Sequence, residues 1–112
     1  MLSIITKPSD NLLTYPNQKI IKIIHCSRGD FISRAEEKRA NELLPSTAYR
    51  LYIHLCLYEN GYVLPLSPKD IYNKIGLSHK QYDKAVKDLI DSRYLVKCYN
   101  GENNYNFYTR PH

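Results

Sequence analysis

Long hydrophobic runs are missing from this 112-residue chain: its apolar stretches are short and broken by charge, so no segment is expected to span a membrane. The opening residues, MLSIITKPSD, lack a basic start followed by an extended apolar stretch, which argues against a secretory leader and for a cytoplasmic protein. Cysteine is scarce. Cys26, Cys56 and Cys98 are odd in number, far apart and in no CxxC pair, which argues against a disulfide framework or a zinc ribbon. His25 beside Cys26, and His54 two residues before Cys56, do not make a four-ligand set, because helical residues two apart point in different directions. Neither a metal nor a cofactor is expected. No Ser-His-Asp set, paired carboxylates or glycine-rich phosphate loop emerges, so nothing supports an enzyme. The size allows one domain with one modest core.

What the chain does have is a run from Ser67 to Tyr94, SPKDIYNKIGLSHKQYDKAVKDLIDSRY, that reads as two helices joined by a tight turn. Ser67 can accept a hydrogen bond from free N–H groups of a first helix, and Pro68 sits where a missing N–H costs nothing. Ile71 and Ile75 share one face, and Gly76 supplies the left-handed residue that closes the helix. Leu77 anchors the turn and Ser78 caps a second helix. There Tyr82, Val86, Leu89 and Ile90 recur on one buried face, while His79, Lys80, Gln81, Lys84, Lys87 and Asp91 point elsewhere. Such a pair, with a short Gly-containing turn and a longer basic second helix, is the helix-turn-helix arrangement that enters the DNA major groove.

Around this run the remaining elements read in order. Residues 1 to 18, with Pro8, Pro16, Asn11 and Asn17, form an irregular arm. Lys19 to Cys26, KIIKIIHC, is an isoleucine-rich strand expected at or near a sheet edge. Ser33 to Leu44 starts with the Ser33–Glu36 spacing of a capping box and ends at Pro45, giving a mostly solvated helix. The next helix, opening after Pro45 and ending at Asn60-Gly61, is the most apolar; Ala48, Leu51, Tyr52, Leu55 and Tyr58 share its broad face. Tyr62 to Leu66 is a short strand that Pro65 confines to an edge. Tyr94 to Tyr99 and Tyr105 to Thr109 flank an Asn-Gly turn and predict a β-hairpin. Most of the eleven tyrosines fall at core spacing, including Tyr49, Tyr52, Tyr72 and Tyr82; Tyr99, Tyr105 and Tyr108 keep a claim to a ligand, since rings stack on bases.

The formal charge is +5, from sixteen Lys and Arg against eleven Asp and Glu. From Ser67 onward the balance is +3, residues 34 to 66 balance at zero, and the first 33 residues carry the other +2. The excess lies partly where groove-binding elements would be, which favours an anionic partner.

Residues 45 to 110 resemble the winged helix-turn-helix domains of plasmid and phage replication initiators and related small regulators. The likeness rests on LPSTAYRLYIHL, LSPKDIYNKIGLS, SHKQYDKAVKDLIDSRYLV and a wing ending in NFYTR. It implies an α+β fold of three to four helices, a small antiparallel sheet and a C-terminal β-hairpin wing in residues 45–112. Residues 1–44, the arm, strand and short helix, are left for dimerisation. Carried over by position, Ser78, His79, Lys80, Gln81 and Lys84 would open the recognition helix, where Lys can donate to guanine and Gln can pair with adenine. Lys69, Lys74 and Lys87 would meet phosphates. Lys97, Asn100, Asn103, Asn104 and Arg110 would be wing contacts. The recognition helix departs from the strong examples: it has no arginine and carries Asp83 and Asp88 among its lysines.

Two functions follow. The first is duplex DNA binding as a homodimer in the host bacterial cytoplasm, in transcription regulation or DNA replication of a phage or other mobile element. The second keeps the winged helix as a protein-interaction module, such as a phage-type, anti-CRISPR-like inhibitor of a host or defence enzyme, its partner a host protein.

Overall fold

Four β-strands and four helices make up the described chain, which in this computed structural model comprises residues 18–27, 32–98 and 103–112. The order is β1 (Lys19–Ile24), α1 (Arg34–Leu43), α2 (Ser46–Cys56), β2 (Val63–Leu66), α3 (Pro68–Ile75), α4 (His79–Asp91), β3 (Leu95–Lys97) and β4 (Asn104–Tyr108). The class is α+β.

The helix boundaries follow local chemistry read above. Ser33 and Glu36 form a reciprocal capping box at α1, and Leu44, held extended by the following Pro45, ends that helix. Ser67 accepts a hydrogen bond from the Asp70 N–H at the start of α3, and Gly76, at φ 75°, closes it. Asn60-Gly61 turns the chain after α2, with Gly61 at φ 86°. That helix stops at Cys56, earlier than its apolar pattern suggests, and the residues after it bond to the end of β1. His25 Nε2 lies 2.7 Å from the Tyr58 carbonyl, and the His25 N–H donates to Asn60 Oδ1 at 2.9 Å.

Strand order in the sheet is β2-β1-β4-β3. β1 pairs antiparallel with β2 and parallel with β4, and β3 pairs antiparallel with β4, so the sheet is mixed and not antiparallel throughout. The physical reason is that β1 lies between β2 and β4, inside the sheet and not at its edge. Lys22 in mid-strand suggests an edge strand, yet it points to the exposed sheet face while Ile21 and Ile23 are fully buried on the other. β2 is an edge strand, as Pro65 requires. Alternation from the Ile23 N–H to Tyr62 carbonyl bond leaves the missing Pro65 N–H on the open side.

One core joins all of this. Ile21 and Ile23 of β1 and Ala40 of α1 lie in the same buried cluster as Leu51 and Leu55 of α2, Ile71 of α3, Val86 and Leu89 of α4, Leu95 and Phe107. Tyr52 and Tyr82 are buried, as their spacing implies. Tyr72 is not: it is 61% exposed, because Ile71 and Ile75 hold the inward face of the short α3 and the neighbour of Ile71 is turned about 100° away.

A second connection ties the segment after β1 and the head of α1 to the residues that follow β4. Glu36 Oε1 accepts from Ser27 Oγ at 2.8 Å and from the Ser33 N–H at 2.8 Å, while Oε2 accepts from Thr109 Oγ1 at 3.0 Å and Arg110 Nε at 3.2 Å. Thr109 Oγ1 in turn accepts from the Cys26 N–H, and its carbonyl from Tyr52 Oη at 2.7 Å. Burial pushes the Glu36 carboxyl up, but these four donors outweigh it and hold the group below the ordinary carboxylate range.

Candidate nucleic-acid interface

Helices α3 and α4 are joined by three residues, Gly76, Leu77 and Ser78. Leu77 is fully buried and pins the turn to the core. At the head of α4, the Ser78 hydroxyl accepts from the Gln81 N–H at 3.2 Å and Gln81 Oε1 accepts from the Ser78 N–H at 2.9 Å. The helix closes at Arg93, φ 69°, where the Arg93 N–H donates to Ile90 and the Tyr94 N–H to Leu89. That is the six-to-one and five-to-two pattern of a Schellman motif.

The β3–β4 end of the sheet lies beside the head of α4. Tyr82 donates to the Leu66 carbonyl at 3.3 Å, where β2 runs out. Lys19, the first residue of β1, has its Nζ 5.9 Å from the centre of the Tyr105 ring. Burial lowers its pKa, and the nearby Asp83 of α4 works in the opposite direction. Burial, then Asp83 and Tyr105, push the Tyr82 hydroxyl up. One end of the molecule thus gathers the start of α4, the start of β1 and the hairpin side of β4.

The residues assigned to DNA from the sequence divide into groups. Lys69 on α3, Lys80 on α4 and Lys97 on β3 are exposed and make no ion pair with a described residue. Asn103 is exposed and Asn104 starts β4. Lys74 lies 3.8 Å from Asp70, His79 3.6 Å from Asp83, and Lys84 and Lys87 each 3.0 Å from Asp88 and Asp91. These pairs form because Asp sits one helical turn from each cation. Ser78 and Gln81 are engaged in the cap, so a bidentate contact from Gln81 to adenine requires its carbonyl oxygen to leave the Ser78 N–H. Arg110 is turned away from the hairpin end, onto Glu36 and towards Ser27. Asn100 and Tyr99 lie outside the described residues. Tyr108 stacks on His112, ring centres 4.0 Å apart.

Lys19 joins the group without a signal in its local sequence. Its neighbourhood with Tyr105 depends on the parallel β1–β4 pairing, which connects segments more than eighty residues apart.

A separate apolar groove of about 400 Å³ runs between α2 and α3, lined by Tyr49, Arg50, Ile53, His54, Leu57 and Ile75. The Arg50 guanidinium bonds the Ile75 carbonyl at one wall. Leu57 is 79% exposed. Among the described residues no group of three or more His, Cys, Asp or Glu is placed to hold a metal, and no helix is long and apolar enough to cross a membrane. No protein-family model, no curated protein and no solved structure matches this chain.

Proposed function

We propose that this chain is a small winged helix-turn-helix protein that binds duplex DNA, acting as a homodimer in transcription control or replication of a phage or other mobile element. The observation that carries the reading is the juxtaposition of a turn-joined helix pair, α3 and α4, with the Lys97–Asn104 end of the β3–β4 pair and the lysines there. A helix presented this way fits the major groove, and a hairpin beside it reaches the flanking backbone. Pairing of two copies is invoked because one short helix covers few base pairs.

The test is fluorescence anisotropy of a labelled mixed-sequence duplex over a salt series. Binding should weaken with a log–log slope of about 0.9 per phosphate neutralised. Absence of binding even at about 50 mM salt would refute the reading.

A second reading, a protein-interaction module on the same fold, is favoured by the α2–α3 groove and the exposed Leu57 in its lining. It predicts a stoichiometric complex with a host protein that Leu57→Ser weakens, with no shift of duplex DNA.

A further inference from the structure

The helix that the sequence nominates as the DNA reader has no net charge. α4, HKQYDKAVKDLID, carries Lys80, Lys84 and Lys87 against Asp83, Asp88 and Asp91, and two of those lysines lie 3.0 Å from an aspartate. Exposed pairs of this kind hold together weakly, so a lysine can leave its partner for a phosphate. The carboxylate stays behind, however, one turn away on the same helix, and repels the same phosphate. The net gain from each pair is small.

The strands are charged differently. β1, β3 and β4 together carry Lys19, Lys22 and Lys97 and no acidic residue. Tyr105 lies opposite Lys97 on one side and Ile21 on the other, and side chains two apart on a strand share a face. Lys19, Tyr105 and Lys97 therefore form a row on the helix-bearing face at the hairpin end. The two lysines are two strand spacings apart, with Lys19 two residues further along, which puts them roughly 12 Å from one another. Neither makes an ion pair with a described residue, although Asp83 of α4 is close enough to act on Lys19. Lys19 is further held by its position over the Tyr105 ring, so little side-chain freedom remains to be lost on binding.

We infer that Lys19 and Lys97, flanking Tyr105 at the end of the sheet, make the dominant backbone contacts to duplex DNA, and that the exposed face of α4 contributes orientation more than affinity. This rests on the DNA-binding reading above and changes which residues carry it. Asn103 and Asn104, beside the row, supply side-chain amides for the same backbone or for base edges.

The experiment compares two double variants of the full chain against a labelled mixed-sequence duplex, each checked for an unchanged melting curve. Lys19→Gln with Lys97→Gln should lower the salt slope by about 1.8 and weaken binding more than about ten-fold at low salt. Lys84→Gln with Asp88→Asn, which removes a whole pair and leaves the net charge of α4 at zero, should change affinity less than about three-fold. A gain of binding, which misfolding cannot mimic, gives the second arm. Asn103→Lys, beside the row, should tighten binding more than Asp91→Asn, which relieves one repulsion but at the last residue of α4, away from its head. The reverse ranking in either arm overturns this inference and leaves DNA binding standing. No binding by the unaltered chain overturns both.

Discussion

Replacing Glu36 by Gln should destabilise the fold by about 2–3 kcal/mol at neutral pH, because a buried carboxylate here satisfies four donors at once. The residue is 5% exposed and receives Ser27, the Ser33 N–H, Thr109 and Arg110 at 2.8 to 3.2 Å. A glutamine can keep the two bonds to Oε1, and the Thr109 hydroxyl can turn to accept from its new amide. Arg110 Nε cannot accept, so one charge-assisted bond and the charge itself are lost. Set against a total stability of about 5–15 kcal/mol for a domain of this size, the change is large. Its pH dependence has a definite sign. A carboxyl whose folded pKa is lowered stabilises above its unfolded value, about 4.3, and that contribution disappears as pH falls through the folded value. Urea unfolding followed by far-ultraviolet circular dichroism should therefore show a wide gap between wild type and Glu36→Gln at neutral pH that narrows below about pH 4. A gap under about 0.5 kcal/mol at neutral pH, or one that does not narrow in acid, would refute the account of Glu36 as the charged tie between β1, α1 and the chain end.

Three further outcomes are expected. Arg93→Gly should stabilise by about 0.5–1 kcal/mol in the same unfolding assay: a left-handed L-residue costs about 1–2 kcal/mol, which outweighs the added chain entropy of glycine. Tyr52→Phe keeps the ring packed against Tyr94 and Phe107 but removes the 2.7 Å bond to the Thr109 carbonyl, so it should cost about 1–2 kcal/mol; a neutral result would mean that this carbonyl finds another donor. The Cys56 thiol is pushed up to about 12, chiefly by burial, so it should resist alkylation at mildly alkaline pH in the folded chain and react on adding denaturant. Mass spectrometry of the alkylated peptide reads this directly.

Much of the fold was legible because it is written in neighbours. The Ser33–Glu36 box, the Ser67 and Ser78 caps and the left-handed Gly76 each depend on residues within four positions, and the inward faces of α2 and α4 follow from helical spacing. The local pattern was also misleading where two meanings fit one residue. Lys22 suits an edge strand or the open face of an interior one, and Tyr72 suits a core face or a free one on so short a helix. In the candidate interface, the lysines of α4 and the aspartates among them were visible in the sequence, and the structure places Lys84 and Lys87 each 3.0 Å from Asp88 and Asp91. Gln81 looked free for a base while its carbonyl oxygen serves the cap.

Sequence alone determined the element types, the turn between α3 and α4 and the charge surplus on either side of a neutral middle of the chain, since these depend on short-range stereochemistry and composition. The tertiary structure decided the rest. Only folding inserts β1 between β2 and β4, sets Lys19 above Tyr105 and draws Arg110 from the hairpin onto Glu36. The reason is physical: strand pairing and buried ion-pairing join residues some seventy to eighty-five positions apart, and their partners are chosen by the shared core, which no local window contains.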